Sequence, residues 1–386
     1  MVDLPFAPPP PCPEAETLRL EVRDFLAEAL ADRTPAQRAE SWQGYDPAFS
    51  RKVAAKGWVA MTWPKQYGGH ERSALERYVV LEEMLAAGAP VSLHWIADRQ
   101  SGPLIMRVGT DEQKNEVLPR IARGEAMFCI GMSEPDSGSD LAGTRTRATK
   151  VQGGYLVNGT KVWTSGAHQA DYMILFCRTG TSSPGMADRH EGTSQFLVNL
   201  RTTQGIQIRP IHALTGEHHF NEVVFTDVFI PETALLGKEG DGWNQVTSEL
   251  AYERSGPERF LSSFLILTEM LRRLGPDPSE HAAIAIGRLV AHIHALRRMS
   301  RSVAGMLQAG DNPALQAALV KELGNTLEQE IPEIARQLVD CEPSLETDDR
   351  FLATLSLITL HAPSFSLRGG TREIMRGMIA RGLGLR

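Results

Sequence analysis

The chain carries the stretch GMSEPDSGSD at positions 131–140, and this stretch says most about its fold. It brings small residues, acids and hydroxyls together where a chain would normally turn. Such a composition lets backbone N–H groups and short hydroxyls approach a large polar ligand. A plain Ser/Gly/Asp surface loop has the same composition, so both interpretations remain open for the stretch alone.

A second stretch, NGTKVWTSG at positions 158–166, follows the first at a short distance. In this order the pair resembles the first signature and the flavin-contacting strand of the acyl-CoA dehydrogenase family, and the resemblance covers almost the whole chain. It implies FAD as the cofactor and oxidation of an acyl-CoA thioester to the 2,3-enoyl-CoA. In that reaction a base takes the α-proton and flavin N5 takes the β-hydride.

Three regions follow one another in the pattern of apolar residues. Residues 1–127 show helical spacing and predict an N-terminal helical domain. Residues 128–235 are short, alternating and rich in turns, which predicts a central β-barrel or sandwich, with Asn158–Gly159 as a hairpin turn. Residues 236–386 return to long helical patterns and predict a C-terminal four-helix bundle. This α+β multidomain order matches the acyl-CoA dehydrogenase fold.

Composition excludes several classes of protein. The net charge of −7 and the pI near 5.9 argue against a nucleic-acid partner. Four cysteines without a CxxC pair, and histidines without an HExxH motif, predict no metal site and a reducing compartment. The sequence contains no run of 18 apolar residues, so we predict no membrane-spanning helix. The first residues do not resemble a signal peptide, and we therefore expect a cytoplasmic protein.

Five residues of the two stretches fall where the family contacts its flavin. The resemblance assigns cofactor binding to Met132, Ser133, Trp163, Thr164 and Ser165. Met132 and Ser133 would reach the pyrimidine side of the ring, Trp163 would stack against it, and the Ser165 hydroxyl would reach N5. The alternative is structural, with Trp163 in the core and Ser165 as an ordinary strand residue.

The C-terminal stretch GGTREI, at positions 369–374, resembles the family segment that binds the nucleotide end of FAD. This resemblance implies cofactor contacts from Thr371 and Glu373. For the substrate, Ser139 matches a serine that touches the CoA arm, and Arg254 matches an arginine at the start of the third domain. The structural alternatives are a helix cap for Ser139 and a surface ion pair for Arg254.

The catalytic base departs from the commonest family pattern. Many members place a glutamate directly before the C-terminal Gly-Thr, where this chain has Gly369. A second branch takes the glutamate from a Leu-x-x-Glu-Arg segment, and this chain has LAYER at positions 250–254. We therefore predict Glu253 as the base, against the alternative of an exposed helix acid paired with Arg254. Glycine at 369 also removes a side chain near the flavin, which leaves room for branched, cyclic or polycyclic acyl groups.

Two family elements that bind the FAD diphosphate, Gln-x-x-Gly-Gly and Arg-x-x-Phe-Gly, are absent, and residues 341–361 contain no glycine. The resemblance implies a tetramer, either of this chain alone or with a homologous partner, and electron transfer flavoprotein as the electron acceptor. Two alternatives stay open. The chain could be a half-site subunit without its own flavin, or a flavin oxidase or monooxygenase of the same fold.

Overall fold

The computed structural model describes residues 6–180 and 189–385, apart from the side chains of residues 249–253. The N-terminal part of the described chain is helical. Ser73 and Thr110 begin two of its helices as capping boxes, in which each hydroxyl accepts the N–H three residues ahead. The helices are α1 (Pro13–Ala29), α2 (Pro35–Ala39), α3 (Pro47–Ala55), α4 (Ala74–Ala87), α5 (Ser92–Ile96), α6 (Gly102–Val108) and α7 (Asp111–Ala122).

The central part of the chain forms one mixed sheet. Its strands are β1 (Phe128–Gly131), β2 (Arg147–Val151), β3 (Gly154–Ser165), β4 (Tyr172–Arg178), β5 (Thr193–Asn199), β6 (Ile206–His212), β7 (His218–Pro231) and β8 (Leu235–Leu236). The order is β6-β7-β3-β2-β4-β5-β8, and β1 pairs in parallel with β4.

The sheet is open, because no pairing joins β6 to β8 within the described ranges. A closed barrel, one of the two predicted forms, is therefore wrong. One edge strand, β8, has only two residues, and the side chains of the other edge strand, β6, are mostly exposed.

The core of the sheet lies around β4 and β5. All seven residues of β4 and six of the seven in β5 are buried, and β4 is accordingly apolar over almost its whole length. Leu93 of α5 joins the same cluster as Met127, Cys129 and Phe196. Helix α5 therefore packs on the sheet close to β1, the strand that leads into residues 131–140.

The predicted hairpin at Asn158–Gly159 is wrong, because β3 runs without a break from Gly154 to Ser165. Gly159 has a φ of 147° and lies at a register shift between β3 and β7. A Cβ at this position would come within 2.5 Å of the Thr146 hydroxyl. The glycine thus serves close packing at a bulge, and the Asn158 amide bonds Asp227 across the strands at 2.9 Å.

After the sheet the chain is helical again. The helices are α8 (Gly242–Glu253), α9 (Phe264–Leu274), α10 (Glu280–Gln308), α11 (Ala314–Leu338), α12 (Arg350–Phe365) and α13 (Arg372–Gly382). The predicted breaks at residues 275–278, 310–313 and 343 all fall between these helices. The observed order of helices, mixed sheet and helices confirms the predicted fold class.

Contacts divide the chain into two compact units, and each joins segments that are distant in sequence. The sheet unit contains residues 46–71 and 92–249, with α3, α5, α6, α7 and the whole sheet. The helical unit contains residues 1–45, 72–91 and 250–386. Within it, buried Arg19 of α1 binds Glu82 of α4 at 2.8 Å, and Arg297 of α10 binds the same carboxylate at 2.6 Å. The domain boundaries at residues 127 and 235 remain a prediction.

Candidate functional site

Residues 131–140 form a closed turn in the sheet unit. The backbones of Glu134 and Ser137 exchange two hydrogen bonds, of 2.7 and 3.1 Å, and the Ser137 hydroxyl donates to the Asp140 carbonyl at 2.7 Å. The Val162 N–H donates to the Ser133 carbonyl at 2.9 Å, which ties this turn to β3. Ser133 is half-buried, whereas Ser139 is exposed and lies two residues after the Glu134–Ser137 pairing.

A buried ion pair between Lys161 and Glu134 fixes the base of the turn. The Lys161 ammonium is fully buried and donates to Glu134 at 2.8 Å, to the Met132 carbonyl at 2.9 Å and to the Thr144 hydroxyl at 3.1 Å. Glu134 also accepts from the Thr144 hydroxyl at 2.6 Å and from the Thr146 N–H at 2.8 Å. Lys161 therefore fixes the backbone carbonyl of Met132. Met132 and the adjacent Ser133 are both predicted cofactor contacts.

The environment of Glu134 strongly favours its ionised form. Burial raises the pKa of Glu134, but the Lys161 ammonium and the hydrogen bonds from Thr144 and Thr146 outweigh burial and lower it to about 2. Neither Lys161 nor Glu134 was predicted to have a role. The available signal was a lysine at an inward-facing strand position, which requires a buried partner.

A β-bulge turns Trp163 away from the core. The register between β3 and β7 shifts between Lys161 and Thr164, and Trp163 takes a left-handed φ of 57°. Its indole is 60% exposed and meets Phe220 edge to face at 6.0 Å between ring centroids. A left-handed backbone costs a large residue roughly 1–2 kcal/mol, and such strain concentrates at functional sites. Trp163 is therefore an exposed platform and not a core residue.

The two residues after Trp163 face different surroundings. Thr164 is 1% exposed, and its hydroxyl has no hydrogen-bond partner within the described chain. Its carbonyl accepts from the Asn221 amide at 3.0 Å. Ser165 is half-buried and pairs with Phe220 of β7. The hydroxyls of Ser165 and Ser133 thus remain within reach of a ligand on this part of the sheet unit.

The second group of predicted residues lies in the helical unit. Thr371 is the N-cap of α13 and accepts the Ile374 N–H at 3.4 Å, while Glu373 is exposed in the first turn. Gly369 and Gly370, with φ values of 67° and 95°, precede the cap. Two left-handed glycines before a helix N-terminus present backbone N–H groups to an anion such as a diphosphate.

Arg254 lies beneath this glycine turn. It is 5% exposed and donates from Nε to the Gly369 carbonyl at 3.3 Å and from Nη1 to the Met378 sulfur at 3.0 Å. The alternative interpretation placed Arg254 in an ion pair at the surface, but the Arg254 side chain is buried. Arg254 instead supports the turn that leads to Thr371, and its contact with substrate remains a prediction.

Glu253 is the last residue of α8, and its side chain lies outside the described residues, as do those of residues 249–252. The structure therefore brings the predicted residues together in two groups. Met132, Ser133, Ser139, Trp163, Thr164 and Ser165 belong to the sheet unit, whereas Arg254, Thr371 and Glu373 belong to the helical unit.

The residues of the sheet unit fit a flavin. The exposed indole of Trp163 offers an aromatic face to a large planar ring, and the half-buried Ser133 and Ser165 carry hydroxyls that can hydrogen-bond its polar edges. No group of three metal-ligating side chains occurs in the described ranges. In the same ranges, no helix has the length and apolarity that crossing a bilayer requires.

Family models match three consecutive parts of the chain. They describe the N-terminal domain of acyl-CoA dehydrogenases at residues 12–125, the middle domain at residues 129–228 and the C-terminal domain at residues 268–384. These matches follow the order of helices, sheet and helices in the structure.

Two relatives from Mycobacterium tuberculosis match over nearly their whole length. The acyl-CoA dehydrogenase FadE26 is 33% identical over 96% of this chain and 97% of its own length. The acyl-CoA dehydrogenase IpdE1 is 31% identical over 96% and 98%.

Two solved structures share the fold. One is the steroid ACAD Tcur3481-Tcur3483, with a TM-score of 0.86, 25% identity and coverage of 100% of this chain and 99% of that chain. The other is the ChsE4-ChsE5 complex from Mycobacterium tuberculosis, with a TM-score of 0.83, 30% identity and coverage of 98% and 99%. The chain therefore belongs to the acyl-CoA dehydrogenase family and is an FAD-dependent oxidoreductase.

Proposed function

We propose that the chain oxidises a bulky, ring-containing acyl-CoA thioester to its 2,3-enoyl-CoA. The observation that carries the flavin half of this proposal is Trp163, an exposed indole on a strained bulge between Lys161 and Thr164. An exposed tryptophan in the left-handed region gains nothing for the core, so ligand stacking is the best account of its conformation.

Bound FAD supplies the hydride acceptor. Met132, Ser133 and Ser165 would orient the ring through backbone and hydroxyl hydrogen bonds, and Trp163 would cover one of its faces. Thr371 and Glu373 would hold the nucleotide end, next to the glycine turn that Arg254 supports. Ser139 and Arg254 are the proposed contacts to the CoA arm.

Glu253 would take the α-proton of the thioester. A carboxylate does this near neutral pH when an apolar acyl chain desolvates it and raises its pKa while the ionised form remains populated. Gly369, at the commoner position of the base, has no ionisable group and a φ of 67°, which disfavours any side chain there. The assignment of the base to Glu253 rests on two points: a glutamate can take the α-proton, and Gly369 cannot.

The substrate class follows from the same glycine. Gly369 places no side chain at the commoner position of the base, which would suit a wide acyl group. A relative of this fold is a steroid ACAD. We therefore propose a polycyclic or steroid side-chain acyl-CoA as substrate, in preference to a straight fatty acyl-CoA.

The active assembly is proposed to contain a homologous partner chain. The two diphosphate-binding elements are absent from this sequence, and a related structure is a complex of two chains, ChsE4 and ChsE5. Helix α10 exposes apolar side chains, such as Ile284 at 58% and Val290 at 51%, which a partner could cover.

We propose electron transfer flavoprotein as the electron acceptor. We also propose a cytoplasmic location, which suits the free cysteines.

A purified preparation tests this function directly. We expect flavin absorbance, from this chain alone or with a homologous partner, and bleaching of that absorbance on anaerobic addition of acyl-CoA. Among thioesters assayed with an artificial electron acceptor, steroid side-chain CoA esters should give a kcat/KM at least tenfold above straight-chain esters. Bleaching by straight-chain esters alone would contradict the substrate class, and fast reoxidation by oxygen would favour an oxidase.

A further inference from the structure

Three histidines gather in the sheet unit next to the end of β3. The rings of His168 and His218 stack with centroids 3.9 Å apart and an interplanar angle of 20°, and the ring of His212 lies 5.8 Å from that of His218. His168 follows β3 in the turn after Ser165, whereas His212 and His218 flank the turn between β6 and β7. The stack therefore joins the segment that follows β3 to the start of β7.

A chain of hydrogen bonds leads from this stack to β3. The Asn221 side chain is fully buried, and its amide nitrogen donates to the Thr164 carbonyl at 3.0 Å. Its amide oxygen therefore accepts the other bond, so the proton of the 2.7 Å contact is on Nε2 of His218. The Gly166 N–H also donates to the His219 carbonyl at 2.8 Å. The segment between Trp163 and Gly166 is thus held from β7.

The surroundings of His168 disfavour a positive charge on its ring. Burial, and then the neighbouring His218 ring, lower the pKa of His168, and the Nδ1 atom of His168 is buried with no hydrogen-bond partner in the described chain. Charged groups on the same and neighbouring segments include Glu217 of the hairpin turn, the Arg209–Glu222 pair at 3.0 Å and the Arg201–Asp171 pair at 3.2 Å. Two protonated rings at stacking distance would repel each other and open the turn.

We propose that His218 and Asn221 are positioning residues that hold the Thr164–Ser165 segment in its cofactor-binding geometry, and that the His168–His218 stack makes this hold sensitive to pH. The inference rests on the proposed contact of Ser165 and Trp163 with FAD. Neutral rings preserve the hydrogen bonds from His218 to Asn221 and from Asn221 to Thr164. Acid adds positive charge to the stack and thereby loosens the Thr164–Ser165 segment.

The test measures the dissociation constant of FAD from the full chain, in its active assembly, between pH 5.5 and 8. For the wild type we expect FAD affinity to fall about tenfold over this range as pH decreases. His218→Gln places an amide donor near Nε2 but cannot titrate, so it should bind as the wild type does at pH 8 and show no pH dependence. His218→Leu loses donor and titration, so it should bind about tenfold more weakly at every pH.

His292→Gln, on the exposed surface of α10, is the matched control and should behave as the wild type. Thermal unfolding of each apoprotein identifies variants that fail to fold, and Asn221→Asp, which keeps the acceptor but loses the amide donor, then supplies a second variant. FAD binding with wild-type pH dependence in both His218 variants would overturn this inference alone. Failure of the wild type to bind FAD at any pH would overturn the proposed function, and the inference with it.

Discussion

The two groups of predicted site residues are held by different means. In the sheet unit, the buried Lys161–Glu134 pair and a bulge at Trp163 fix the residues that are predicted to contact the cofactor. In the helical unit, two left-handed glycines and Arg254 fix the cap at Thr371. The first arrangement depends on buried charge, so losing one side chain is costly. The second depends on backbone conformation, so gaining a side chain is costly.

The largest effect is expected where buried charge fixes the site. Lys161→Met leaves Glu134 buried without its cation, which should reduce the free energy of unfolding by about 3–5 kcal/mol. Lys150→Met is the matched control, because Lys150 is 59% exposed and its closest carboxylate contact, with Glu232, is 3.4 Å. The control should lose no more than about 1 kcal/mol. Urea unfolding measures both, and equal losses would contradict the role of the buried pair.

Acid should weaken the sheet unit through a second buried group. Burial lowers the pKa of His94 to about 4, and its Nδ1 lies 2.9 Å from the Ser50 hydroxyl. The unfolded chain therefore binds more protons between pH 6.5 and 4, so stability is full above pH 6.5 and falls as pH decreases through this window. The loss should reach about 3 kcal/mol.

His94→Asn, which keeps an amide near the position of Nδ1, should remove this part of the pH dependence. Urea midpoints at pH 7.5 and 4.5 give the comparison for wild type and variant. An unchanged difference between the two pH values in His94→Asn would show that another group is responsible.

The platform role of Trp163 separates cofactor binding from stability. Trp163→Ala should weaken FAD binding by about 1–3 kcal/mol because ring stacking and apolar contact are lost. Stability of the apoprotein should change little, since the indole is 60% exposed. Phe229→Ala removes another exposed aromatic ring of the same sheet, 48% exposed, and should leave FAD binding unchanged. Equal effects of the two substitutions on FAD affinity would rule out a specific platform.

The glycine turn of the helical unit predicts a smaller effect. Gly369→Glu forces a side chain into the left-handed region and should cost about 1–2 kcal/mol of stability. It should also fail to restore activity to Glu253→Gln, although it places a carboxylate at the commoner position of the base. Gly287→Glu, in α10 with open space around its Cβ, is the control and should not destabilise. Restored activity would show that the turn accepts a side chain.

Local patterns predicted the order of the elements but not the contacts between distant segments. Glycines and prolines in the sequence predicted the helix breaks at residues 275–278 and 310–313. The family resemblance predicted that Trp163 stacks on a ligand and therefore lies outside the core. The Asn158–Gly159 turn was wrong because a glycine with positive φ serves a bulge as well as a hairpin. A second bulge, between Lys161 and Thr164, reverses the alternation of β3 and is invisible in residue spacing.

The supporting residues of the site were harder to predict than its surface. Lys161 and Glu134 lie 27 positions apart, and Asn221 lies 57 positions from Thr164, so only the register of the sheet brings each pair together. The grouping of α1, α2 and α4 with the C-terminal helices likewise depends on long-range packing. A single sequence carries residue types and spacing, and these do not specify which distant strand or helix becomes the neighbour.

The role of Glu253 is the central claim about the chemistry, and anaerobic flavin bleaching tests it most directly. Glu253→Gln keeps the shape of the side chain but cannot accept the α-proton. We predict that it binds FAD and acyl-CoA as the wild type does while the rate of substrate-driven bleaching falls by about a hundredfold or more. Glu333→Gln, at an exposed carboxylate paired with Arg336, should bleach at the wild-type rate. Bleaching of Glu253→Gln at the wild-type rate would contradict the assignment of the base.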